Sequence, residues 1–167
     1  FNRNSCYNKY GQNSKGGIFI MKLFKKYGGF VALLFAVLAL VMLFIEPAIL
    51  IGEVFGNRVE GFTGFEAIFG TKENQFGVQA LKASGVGIVA LILLVVGAAV
   101  PLVPMVPEKL RFLVGAGVLL VAGILFFVIP GGHGDGFKPA TSLILAGVFS
   151  LVAFLVDGAL AVLHLQK

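Results

Sequence analysis

The sequence predicts an all-α, polytopic membrane protein: a four-transmembrane-helix bundle with an interfacial outer loop. Three observations carry that expectation. Hydrophobic residues make up 58% of the 167 and charged residues only 13%, with a mean hydropathy of +0.99, so there is too little polar surface to coat a soluble globule of this length. The apolar residues also come in long blocks instead of amphipathic spacing, and at 1.5 Å per residue a run of about 20 crosses the hydrocarbon layer. Finally, four such blocks occur, expected as helices at about 28–50, 82–103, 110–129 and 141–165 of a single membrane domain, residues 21–167.

Residues 1–20 are unlike the rest: Asn-rich, without an acid and without an apolar period. Lys15-Gly16-Gly17, shortly before Met21, is what a purine-rich bacterial ribosome-binding site gives when translated in frame. Met21 is therefore expected as the true start and residues 1–20 as a non-native leader, a disordered tail being the alternative. The only cysteine, Cys6, lies there, so cysteine usage says nothing of the redox compartment. The net charge of +5 draws on Arg3, Lys9 and Lys15 of the same segment, and residues 21–167 carry ten bases against eight acids. No basic stripe interleaved with stacking aromatics remains, so nucleic acid is not an expected partner.

Lys22, Lys25 and Lys26, then Tyr27 at interface depth, introduce the first apolar run. It is longer than the core of a cleavable signal peptide and closes on Phe44-Ile45-Glu46-Pro47 instead of a small-x-small site, so an uncleaved helix is expected. Gly28, Ala32 and Ala36 form a small-xxx-small ridge suited to close packing. Glu46 is expected as an interfacial acid paired with Lys82 or Lys138. Residues 52–81 are the one sizeable polar segment, studded with Phe55, Phe62, Phe65, Phe69 and Phe76. Phe62, Phe65 and Phe69 follow helical spacing and Thr63-x-x-Glu66 fits a capping box, which predicts a short interfacial helix; an antiparallel hairpin through GNRVEGFTGF is the competing reading.

The phrase GFTGFEAIFG, between a helix with a basic start and a second helix, resembles the loop of small uncharacterised four-helix membrane proteins of Gram-positive bacteria. The resemblance covers most of residues 21–167 and implies the four-helix membrane fold, but no activity or catalytic residue. A long first outer loop and a short second one also resemble the claudin-like tetraspan layout. That family's tryptophan signature and cysteine pair are missing here, since the chain has no Trp and no Cys after residue 6, so its adhesive role is not carried over.

The second run ends at Pro101, which with Pro104 and Pro107 predicts a stiff turn before the third helix and its Gly115, Gly117 and Gly123 notches. The loop PGGHGDGFKPA lacks the strand, helix and terminal Gly-Lys-Ser/Thr of a phosphate loop, and His133 with Asp135 gives two ligands where zinc takes three or four. The last run, Thr141 to Lys167, carries Asp157 deep inside it. Ser150, Asp157 and His164 are seven apart and share a helix face, with Ala146, Ala153 and Ala161 beside them. A carboxylate at membrane depth costs about 2.5 to 3.5 kcal/mol on the insertion scale, so this face must turn toward other helices or a wet cavity. The expected partners of Asp157 are Lys25, Lys26, Lys109 and Arg111; a proton or ion relay with His164 and Ser150 is the alternative.

Bases concentrate at the Met21 end, the loop of residues 104–111 and Lys167, which predicts a bacterial plasma-membrane protein with both termini cytoplasmic. There is no nucleophile–base set, no HExxH, no paired carboxylates at neighbouring helical positions and no cofactor loop, so neither an enzyme nor a bound cofactor or metal is expected. The expected role is that of an accessory or structural membrane component acting by helix association, its partners the lipid bilayer and other membrane proteins or a second copy. A small transporter or channel subunit using Asp157 as a proton or cation site is the alternative.

Overall fold

The computed structural model describes residues 7–45, 48–54, 57–72, 81–133 and 137–165. Its membrane body is all-α: α1 (Tyr7–Met42), α3 (Gly85–Ala99), α4 (Glu108–Val128) and α5 (Thr141–Leu165), with α2 (Gly64–Phe69) a short helix outside the bundle. Four helical segments are long and apolar enough to cross a bilayer, Phe19–Met42, Gly85–Leu102, Glu108–His133 and Thr141–Leu165. The chain is a multi-pass membrane protein with the predicted four-helix bundle. The second and third segments are completed by 3₁₀ turns at Val100–Leu102 and Ile129–His133.

Around the bundle the order is α1, α5, α4, α3, with extensive packing between successive members and little between α3 and α1. Because lipid tails are as apolar as the side chains, close backbone approach, not hydrophobic expulsion, holds such helices together. Glycine notches provide it. A Cβ on Gly147 would come within 2.8 Å of the Phe127 ring, one on Gly123 within 2.9 Å of Leu151, and one on Gly97 within 2.8 Å of Leu119. Gly28 accepts Leu160 in the same way, and Ala32 and Ala36 are buried, so the ridge of α1 is used inside the fold. Phe126, Leu119, Leu94, Leu143 and Ile129 fill the core between these contacts.

The first helix ends at Met42, not near residue 50 as the apolar run suggests. From Ile49 the chain is a strand, β1 (Ile49–Val54), pairing antiparallel with β2 (Asn57–Phe62) on one side and β3 (Phe137–Pro139) on the other, in the order β2-β1-β3. Ile49, Ile51 and Val54 are β-branched and suit a pleated surface, while Pro47 lacks the N–H a continuing helix needs. The sheet ties the two loops at this end of the bundle: the Ala48 N–H donates to the Phe62 carbonyl (2.7 Å) and that of Ala140 to the Ala48 carbonyl (2.8 Å). Residues 7–20, assigned from sequence to a non-native or disordered leader, are helical as the continuation of α1, where each added residue extends a ladder already nucleated. Cys6, Glu46, Phe55, Phe76, Asp135 and Lys167 lie outside the described residues, and so does the pairing expected of Glu46 with Lys82 or Lys138.

Each reading of the phenylalanine-rich loop holds in part: only one strand of the hairpin comes from GNRVEGFTGF, and the helix begins at Gly64, so Phe62 lies on the strand before it. The hairpin occupies Ile49–Phe62 and the capped helix follows at once as α2. Its capping box is complete: the Thr63 N–H donates to Glu66 Oε2 (3.0 Å) and the Glu66 N–H to Thr63 Oγ1 (3.2 Å). Gly70, at φ +83°, ends it where a Cβ would sit 2.8 Å from the Leu81 carbonyl oxygen. The Ser84 N–H then donates to the Ile68 carbonyl (2.8 Å), and Ser84 Oγ caps α3 by accepting from the Gly87 N–H (3.2 Å).

Candidate functional site

The predicted polar face of α5 is buried, and its three members meet three different fates. Ser150 is fully buried and its hydroxyl donates to the Leu119 carbonyl of α4 (2.9 Å). Asp157 is also fully buried, yet neither carboxylate oxygen has a hydrogen-bond partner. His164 Nδ1 lies 3.1 Å from Glu108 Oε2, its ring stacked on Phe112 with centroids 5.6 Å apart. Seven residues span roughly 10 Å of helix, so these side chains share a face without touching, and no hydrogen bond joins one to the next.

The ion pair expected for Asp157 does not form. Lys25 Nζ instead donates to the Leu163 carbonyl (2.9 Å), satisfying one of the orphan acceptors at the C-terminal end of α5. Arg111 turns to Glu108 (3.6 Å) and places its guanidinium 5.2 Å from the Phe112 ring centre; Lys26 lies 5.3 Å from that of Tyr27. The bases thus gather at the level of Leu163 and His164, two turns from Asp157. A Lys or Arg held near headgroup water has no reason to carry its charge that deep.

Around those bases the structure builds a pocket of about 130 Å³ at the joint of three helices, lined among others by Lys25, Lys26, Pro101, Arg111 and His164. Sequence reasoning finds these bases only as an orientation signal; that α1, α4 and α5 bring them together depends on the helix order. From Leu102, which the two share, the seam between α1 and α3 continues as an apolar groove of about 260 Å³, with Leu33, Val37 and Leu40 on one wall and Leu94, Val95 and Ala98 on the other. Arg111 and His164 line the pocket, and each also has one nitrogen, Nε and Nε2, buried away from solvent without a hydrogen-bond partner.

At the sheet end, Phe62 closes β2 half-buried, Phe65 packs on the core, and Phe69 is exposed. Phe65 sits between Phe44 and Phe69, with ring centres 4.3 and 5.7 Å away. His133 Nε2 donates to the Ala67 carbonyl (2.8 Å), fastening the second loop to α2. Among the described residues no group of three or more His, Cys, Asp or Glu side chains is placed to hold a metal ion. Comparison of the chain with protein-family models, with curated proteins and with solved structures gives no match.

Proposed function

We propose that this protein is a non-enzymatic accessory or structural component of the bacterial plasma membrane, acting by helix association, with the Lys25 end of the bundle and both termini on the cytoplasmic side. The observation that supports it is the one-sided packing of α3. Ala90, Leu94 and Gly97 are buried, Gly97 against Leu119 of α4, whereas Val89, Ile92 and Val96 form an exposed stripe. Their χ1 angles are already fixed by the helix, so docking costs them little side-chain entropy. In lipid, where packing quality decides association, a stiff ridge of this kind suits a transmembrane helix of a partner membrane protein. The orientation rests on Lys22, Lys25, Lys26, Lys109 and Arg111 at one end.

A photo-crosslinking residue at position 92 or 96, in native membranes, is expected to give one adduct of constant mass that the same probe at Leu155, on the lipid side of α5, does not give. Uncrosslinked monomer at all three positions would end this reading. A second reading, a small transporter or channel subunit with Asp157 as its proton or cation site, takes its support from the unpartnered carboxylate inside a membrane-spanning helix. It requires liposome flux that Asp157→Asn abolishes; equal flux from both proteins removes it.

A further inference from the structure

From the pocket and the groove together we infer that the seam between α1 and α3 is a binding site for one anionic phospholipid, its phosphate held by Lys25, Lys26 and Arg111 and an acyl chain laid along the groove. The two cavities are one feature. Each ends at Leu102, and along α1 the lining passes without a break from Lys25 and Lys26 through Gly29 and Phe30 to Leu33, Val37 and Leu40. Its chemistry changes along that line as a phospholipid's does, from cationic and hydrogen-bonding to wholly apolar.

Charge selects the headgroup. Three bases line the polar end, and the acid beside them, Glu108, is more than half exposed and already shared between Arg111 and His164. Arg111 and His164 belong to the same lining, and a guanidinium forms charge-assisted hydrogen bonds to a phosphate. Depth agrees as well: Tyr27, half exposed beside Lys26, marks the interface where headgroups lie, and basic pockets between transmembrane helices there are suited to anionic lipid. A volume of about 130 Å³ has room for a phosphate. The apolar groove separates a lipid from free phosphate, which would have no use for it. The inference goes beyond helix association and does not depend on it, because none of Val89, Ile92 and Val96 lines the pocket or the groove.

The test is native mass spectrometry of the full chain extracted from phosphatidylcholine vesicles containing phosphatidylglycerol. The wild type is expected to retain one phosphatidylglycerol in preference to phosphatidylcholine. Lys26→Gln and Arg111→Gln should each lower that preference about fivefold, the effect of one base at an anionic membrane surface, while Lys109→Gln, at the same end but outside the pocket, leaves it unchanged. Ala98→Phe, which fills the groove and spares the bases, should lower retention of either lipid. Circular dichroism and thermal melting of each variant separate lost binding from lost fold. Equal retention of the two lipids by the wild type overturns the proposal. So does displacement of phosphatidylglycerol by an equal concentration of inorganic phosphate, or indifference to Ala98→Phe in a folded protein. Failure of the crosslinking at positions 92 and 96 leaves these outcomes untouched.

Discussion

The seam between α4 and α5 and the seam between α1 and α3 are built from the same few residue types, yet one is closed and the other open. Across the first, Gly123 receives Leu151 while Gly147 receives Phe127, so each helix offers the other a notch and a knob. Across the second, Ala36 on α1 and Ala98 and Ala99 on α3 lie among Leu33, Val37, Leu40, Leu94, Val95 and Leu102, notches that receive no knob from the other helix, and a groove of about 260 Å³ remains. Apolarity is equal on both sides of this comparison. What differs is the pairing of small with large, which in a bilayer is most of what helix packing has to work with.

The sharpest way to break that contrast is to add the same kind of bulk to each seam. Gly123→Ala puts a methyl where Leu151 already lies, and overpacking of this kind costs about 1 to 3 kcal/mol, to be read from denaturation in mixed micelles. Ala98→Leu adds more atoms, but into the groove, and is expected to change stability by less than about 0.5 kcal/mol. A larger loss at Ala98 than at Gly123 would mean that the open seam is as tightly constrained as the closed one.

How much of this was legible in the sequence depends on whether a feature is local. The last helix, expected at 141–165, runs Thr141–Leu165, because a long apolar block bounded by Pro139 and the chain's polar end leaves few other choices. The end of the first helix was not legible. Ile49, Leu50 and Ile51 are as apolar as the helix before them, and only pairing with Phe62 and Pro139, the latter far away in the sequence, makes them a strand. Burial of Asp157 followed from the cost of a charge in lipid, but its lack of a partner did not, since that depends on where Lys25 and Arg111 end in space. The basic pocket is the extreme case, as its lining is drawn from α1, the turn after α3, α4 and α5.

The same distinction between supplied and unsupplied groups separates two residues on one face of α5. Asp157 and Ser150 are equally buried, but only Ser150 has a bond to lose. Replacing an unsatisfied buried polar group by an apolar one removes a desolvation cost and breaks nothing, so Asp157→Leu is expected to stabilise the bundle by about 1 kcal/mol in the same assay. Ser150→Ala should act in the opposite direction and more weakly. Leu119 sits inside α4, where the helical ladder already provides its carbonyl with a donor, and interhelical hydrogen bonds in membranes average about 0.6 kcal/mol. The opposite signs are the decisive feature. If Asp157→Leu destabilises as Ser150→Ala does, the carboxylate has a partner that packing alone does not reveal, and the site at the centre of α5 is structural, not idle.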